Sequence, residues 1–104
     1  MIYGLSTIVY APGKVAEAQE IWIKEAVPLM PKVGLNAVGA WHGSTGNLNV
    51  SYSIFVYNDL VEMQKSREAM RQNADWQRMW AKLNALRVSQ ESTILEPAAW
   101  SPLK

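Results

Sequence analysis

The chain has 104 residues and a formal net charge of +1, and hydrophobic residues make up 49% of it. This composition is typical of one globular domain and excludes a disordered chain. The near-zero charge argues against a nucleic-acid surface, and the absence of cysteine excludes disulfides and thiolate metal sites. We expect a single cytoplasmic domain over residues 1–104 with no membrane span, because neither a signal segment nor an apolar run of about 20 residues is seen.

The first half of the chain predicts three strands and one helix. Aromatic and β-branched residues indicate a strand over residues 2–10, and apolar residues at helical spacing indicate a helix from Lys14 to about Met30. Pro28 lacks a backbone donor, so we expect the helix to kink or end early there. Two more strands, over residues 36–43 and 49–57, are separated by a Ser-Thr-Gly-Asn turn at 44–47.

The second half predicts a helix in two pieces and a last strand. Asp59, with Glu62 three residues later, resembles a capping box at the start of a helix. The residues Asn-Ala-Asp at 73–75 indicate a break, and a strand follows over residues 88–95. The order βαββαβ predicts an α+β, ferredoxin-like fold, with a four-stranded antiparallel sheet and helices on one face.

The predicted strands are apolar on both faces. Large apolar residues lie on both sides of the first strand, with Tyr3, Leu5 and Val9 on one and Ile2, Ile8 and Tyr10 on the other. The third strand has Val50, Tyr52, Ile54 and Val56 on one side and Phe55 and Tyr57 on the other. Because so short a chain builds only one helix layer and one sheet layer, the second sheet face needs cover from elsewhere. We therefore expect a homodimer through the sheet faces and leave higher oligomers open.

Several stretches together resemble the NIPSNAP family of the dimeric α/β barrel superfamily. They are Tyr10-Ala11-Pro12-Gly13-Lys14, Val38-Gly39-Ala40-Trp41, Asp75-Trp76-Gln77 and Val88-Ser89-Gln90-Glu91-Ser92-Thr93-Ile94-Leu95, with shorter matches at the opening, around residues 48–60 and in the tail at 97–102. The resemblance covers nearly the whole chain in the right order. It implies two sheets packed face to face across a twofold axis, with the helices outside.

Three positions depart from the pattern that this resemblance implies. Bacterial relatives often carry Tyr-Glu-Leu-Arg-Thr in the first strand and a histidine in the third, where this chain has Gly4, Ser6 and Ser53. These positions share one sheet face, which predicts a roomier and less ionic cavity, with Glu91 losing an arginine partner. We predict that Ser6, Trp41, Ser53 and Phe55 contact a ligand.

Residues able to carry out proton transfer are few. His42 is the one histidine of the chain, but no carboxylate lies beside it in the sequence, and Glu91 lies within the last strand. If the protein is an enzyme, His42, Tyr57 and Glu91 are the candidates, and they should converge on one cavity. One histidine and no cysteine do not make a usual zinc site, so we predict no metal, and no motif indicates a cofactor.

Tryptophans and basic residues dominate the helices. Trp22, Trp76 and Trp80 lie on apolar helical faces, where core packing explains them better than a ligand cage. Trp100 is a candidate to lie across a partner or to close a cavity. A basic run, interrupted by acids, predicts a solvated outer face and consists of Lys65, Arg67, Arg71, Arg78, Lys82 and Arg87.

The sequence leaves three functions open and assigns no reaction. The leading interpretation is a NIPSNAP-like homodimer that binds a small, largely apolar molecule or a protein partner. An alternative is a cofactor-free monooxygenase-like enzyme, because the superfamily that the chain resembles includes such enzymes. The last alternative is a purely structural assembly module, whose interior would be filled by side chains. Fold analogy alone does not choose among them.

Overall fold

Four antiparallel strands form one sheet in a computed structural model that describes all of residues 1–104. The strands are β1 (Ile2–Tyr10), β2 (Ala37–His42), β3 (Val50–Tyr57) and β4 (Arg87–Leu95), in the spatial order β2-β3-β1-β4. All three neighbouring pairs are antiparallel. The predicted ferredoxin-like α+β fold is therefore confirmed, and the strands begin and end within one residue of the predicted positions.

The first helix, residues 15–33, is not a regular α-helix. It consists of α1 (Val15–Ile21), a π-helical turn (Trp22–Ala26), α2 (Val27–Leu29) and a 3-10 turn (Met30–Val33). Of the two outcomes expected at Pro28, a kink or an early end, the early end is wrong, because the chain stays helical past it. Pro28 has no N–H for the carbonyl of Lys24, and the wider π-turn just before it accommodates this missing bond. Gly34, with φ of +71°, ends the helix.

The predicted break in the second helical region lies at one residue, Asn73. It separates α3 (Leu60–Gln72) from α4 (Ala74–Asn84). The Asn73 side chain accepts a hydrogen bond from the backbone N–H of Trp76 at 2.9 Å, and its own N–H donates to the Ala69 carbonyl. One asparagine therefore ends α3 and caps the start of α4.

Two hydrogen bonds fix the start and the position of α3. The Asp59 carboxylate accepts from the backbone N–H of Glu62 at 2.8 Å, as the capping prediction requires. The return bond of a capping box is absent, because the Glu62 carboxylate accepts from Asn58 Nδ2 instead, at 2.7 Å. In the buried interior, Ser66 Oγ donates to the Val33 carbonyl at 2.6 Å, which ties α3 to the end of the first helix.

The helices pack on one face of the sheet, here called the covered face. The core there joins Ile8, Tyr10, Phe55 and Tyr57 of the strands to buried helix side chains that include Ala18, Met63, Trp76, Met79 and Leu83. Burial of such apolar side chains stabilises the fold by about 1.5–3 kcal/mol each. The six basic residues of the predicted run are all exposed, which confirms the solvated face, although Arg87 is the first residue of β4 and not part of a helix.

The opposite side of the sheet, here called the open face, has no helix on it. It carries the predicted apolar set of Tyr3, Leu5, Val9, Val50, Tyr52, Ile54 and Val56, as the strand register confirms. Tyr3 and Val50 are buried within the chain, but Leu5, Ile54 and Val56 are only half-buried and Tyr52 is exposed. The chain therefore leaves a large apolar surface without cover of its own.

Candidate functional site

The first cavity lies between the covered face of the sheet and helices α3 and α4. It has a volume of about 250 Å³ and is lined mainly by hydrophobic residues. Its floor is built from small strand residues, Gly4 and Ser6 of β1 and Ser92 of β4. Because strand side chains on a covered face normally fill the space below the helices, small residues at these positions leave that space empty.

Serines form a row across three strands at this level. Ser6 pairs directly with Ser53 of β3 on one side and with Ser92 of β4 on the other. The serine hydroxyls that donate to backbone carbonyls are those of Ser66 and Ser101. The hydroxyls of Ser6, Ser53 and Ser92 make no such bond. Since no buried polar side-chain atom lacks a partner, the three hydroxyls remain accessible. The covered face thus offers hydrogen-bonding groups at the centre of an apolar layer.

Three tryptophans, here called the tryptophan cluster, form the opposite wall of the first cavity. The rings of Trp76 and Trp80 stack with centroids 6.3 Å apart, and Trp22 meets Trp80 edge to face at 6.4 Å. Trp22 Nε1 also donates to the Tyr10 hydroxyl at 3.0 Å. Trp76 is buried and the other two pack against the core, which confirms the predicted core packing, but all three also contact the cavity.

Arg67 is the one charged residue among those that line the first cavity. It lies on α3 between Met63 and Met70, which line the same wall because residues spaced by three and four share a helix face. Burial raises the pKa of the nearby Tyr57 phenol, and the positive charge of Arg67 acts in the opposite direction. The phenol is therefore neutral at pH 7 and can donate a hydrogen bond. The sequence analysis had placed Arg67 only on the solvated face and missed this position.

A second cavity, of about 380 Å³, lies under the first helix at the β2 edge of the sheet. Its lining includes Ile23 and Val27 from the first helix and Ser51 and Ser53 from β3. Trp22 and Phe55 line both cavities and so separate them. The covered face therefore has two neighbouring cavities instead of one.

The four residues predicted to contact a ligand are divided between these cavities. Ser6 lines the first cavity, Phe55 lines both, and Ser53 and Trp41 line the second. The register pairs Trp41 with Tyr52, which places both side chains on the open face, so Trp41 only borders the second cavity. The Trp41 ring lies over Gly39, where an added Cβ would come within 2.6 Å of it.

The three candidates for proton transfer are far apart within one chain. His42 is exposed at the edge of the sheet and pairs with Ser51, six residues along β3 from Tyr57, or about 20 Å. Tyr57 is buried on the covered face, whereas Glu91 pairs with Thr7 and is exposed on the open face. The scattered arrangement counts against catalysis by these three groups in a single chain.

The placement of Glu91 also corrects one inference from the sequence. Glu91 was expected to lose an arginine partner because Ser6 replaces the arginine of related chains. Ser6 lies on the covered face, and Glu91 lies on the open face beside Thr7. Because successive strand side chains point to opposite faces, a side chain at position 6 is directed away from Glu91.

No group of three or more acidic, histidine or cysteine side chains is arranged to hold a metal ion. No helix is both long enough and apolar enough to cross a membrane.

The geometry first defines a class of protein. A four-stranded antiparallel sheet with helices on one face, in the order βαββαβ, is a ferredoxin-like α+β fold. An antibiotic biosynthesis monooxygenase with this fold matches at a TM-score of 0.73 and 8% identity, over 94% of this chain and 99% of that chain. At so low an identity the match shows the fold alone.

The chain belongs to the NIPSNAP family, whose sequence model matches residues 3–102, so the resemblance seen in the sequence is confirmed. A NIPSNAP domain protein from Burkholderia xenovorans is 26% identical with a TM-score of 0.90, over 98% of this chain and 99% of that one. A NIPSNAP family protein from Agrobacterium tumefaciens is 25% identical with a TM-score of 0.92, over 99% of this chain and 98% of that one. Curated proteins gave no match.

Proposed function

We propose that this NIPSNAP protein is a homodimer that binds a small, largely apolar molecule in the first cavity. The observation that carries the proposal is the floor of small residues, Gly4, Ser6 and Ser92, facing the tryptophan cluster. Ligand sites are usually concave and mostly apolar, with a few polar groups that fix orientation. The first cavity has this composition, which supports a small ligand over the protein partner that the sequence also leaves open.

The dimer in this proposal forms through the open face. Two copies would pack their sheets together and leave their helices outside. The half-buried apolar residues Leu5, Ile54 and Val56 support this arrangement, because a monomer would expose them to water. The single domain over residues 1–104 is part of the same proposal, and its cytoplasmic location stays a prediction that subcellular fractionation tests.

The two alternatives have less support. Catalysis by His42, Tyr57 and Glu91 would need groups that lie far apart in one chain to act together. A purely structural module would have its interior filled by side chains, whereas this interior contains two cavities. Binding is therefore the function that the geometry supports best.

Native mass spectrometry of protein purified from its own host tests the proposal. We expect twice the mass of the 11.7 kDa chain, with a further small mass on each copy that is released by denaturation. A bare dimer would support the structural module and contradict the ligand. A folded monomer would contradict the dimer.

A further inference from the structure

The cationic side chains of α3 and α4 differ in whether they are paired. Three of them form ion pairs with carboxylates, namely Arg71 with Glu68, Arg78 with Asp75, and Lys82 with Glu25. Arg67 and Lys65 are in none of the ion pairs of the chain. Of these two free cations, only Arg67 lines the first cavity.

No carboxylate of the chain neutralises Arg67. The lining of the first cavity contains no aspartate or glutamate. Glu62 is close enough to act on Tyr57, but its carboxylate accepts a hydrogen bond from Asn58 and forms no ion pair with Arg67. A guanidinium at the edge of a mostly apolar cavity therefore has its donors available for a ligand.

The first cavity has a cationic end and an aromatic end. Arg67 lies by Tyr57, which pairs with Ile2 at the start of β1. Trp22 of the tryptophan cluster lies toward the other end of β1, because its Nε1 donates to the Tyr10 hydroxyl at 3.0 Å, and Trp80 meets it edge to face. An elongated ligand in this space would meet a positive charge at one end and aromatic rings at the other.

We infer that the ligand of the first cavity is a monocarboxylic acid with an apolar body, whose carboxylate binds Arg67 and whose body packs against the tryptophan cluster. The inference rests on the proposed function and specifies the class of ligand. One cation matches one negative charge, and the planar guanidinium donates two parallel hydrogen bonds to a carboxylate. The Tyr57 phenol lines the first cavity at the same end.

Three probes of the same shape test the charge. The 4-phenylbutanoate anion, neutral 4-phenylbutan-1-ol and cationic 4-phenylbutylamine are titrated into the full chain, with tryptophan fluorescence as the signal. We expect the carboxylate to bind about tenfold more tightly than the alcohol, because a charged hydrogen bond is stronger than a neutral one. The amine should bind most weakly.

Two variants of α3 separate this inference from the proposed function. Arg67→Gln should weaken binding of the carboxylate more than binding of the alcohol, and so remove the tenfold advantage of the carboxylate. Lys65→Gln removes the same charge from the same helix, outside the cavity, and should keep the advantage.

The titrations distinguish a failure of the carboxylate inference from a failure of the proposed binding function. If the alcohol binds wild type as tightly as the carboxylate, or if Arg67→Gln keeps the advantage, the inference is wrong and the proposed function stands. If none of the three probes binds, the proposed function fails and the inference fails with it.

Discussion

Small side chains at two positions of β1 leave room for the first cavity. Gly4 has ordinary space around it, since an added Cβ would meet the Tyr57 ring at 3.5 Å, and Ser6 lies two residues further along the same face. Larger side chains at these positions would extend below the tryptophan cluster. The binding proposal therefore depends on residue size at the floor more than on any reactive group.

Ser6→Leu is expected to fill the first cavity from below. The variant should weaken binding of the neutral probe 4-phenylbutan-1-ol at least about tenfold, and its added apolar burial should raise the free energy of unfolding by about 1 kcal/mol. Tryptophan fluorescence titration and urea unfolding measure the two effects. Ser44→Leu, in the exposed β2–β3 connection, makes the same change away from the cavity and should leave binding unchanged. A folded Ser6→Leu protein with wild-type affinity would show that the probe binds elsewhere.

Some residue positions could be predicted from the sequence and others could not. The alternation of strand side chains is fixed by the backbone, so Gly4 and Ser6 could be placed on one face from the sequence alone. The face of Glu91 relative to Ser6 depends on how β4 pairs with β1, which the sequence of either strand does not specify. Whether Arg67 forms an ion pair depends on side chains that the fold brings together. Its unpaired position beside the first cavity could therefore not be predicted from the run of basic residues in the sequence.

At the level of elements, packing changed what local propensity predicted. Pro28 does disturb the regular α-helix, but the helix continues past it, and the disturbance is a π-turn just before the proline. This turn includes Trp22, which packs on Trp80 of α4 and on Tyr10 of β1. Tertiary contacts of this kind hold a helix through a position that an isolated segment would not tolerate. The break at 73–75 was predictable because asparagine caps helices through its own side chain.

Asn73→Ala should destabilise the protein by removing the cap at the start of α4, while the backbone bond from residue 73 to the end of α3 is kept. The substitution removes the side-chain acceptor for the N–H of Trp76, and losing such a cap costs about 1 kcal/mol. Urea unfolding measures this as a lower midpoint with an unchanged slope. Asn84→Ala, at the exposed last residue of α4, is the matched control and should have little effect. Equal midpoints for the two variants would contradict the capping role.

At the level of the whole molecule, apolar surface lies on both sides of one sheet. The helices cover one side, and the open face has no cover within the chain. Trp100, which is 86% exposed in the tail, adds to the surface that a second copy could bury. The sequence predicted this imbalance because both faces of β1 and β3 are visibly apolar. It could not show the cavities, which arise from how helices and sheet fit together.

Ile54→Glu places a charge on the open face, opposite Leu5 in the register. In the proposed dimer this carboxylate would be buried without a partner, which costs several kcal/mol, so the variant should be monomeric. Val61→Glu, on the exposed surface of α3, is the matched control and should remain dimeric.

Sedimentation equilibrium of the wild-type chain at low micromolar concentration tests most directly whether a second copy shields this surface. We predict a single species of about 23 kDa, twice the 11.7 kDa of the chain. A folded species of 11.7 kDa, with the near-ultraviolet circular dichroism of packed tryptophans, would contradict the account.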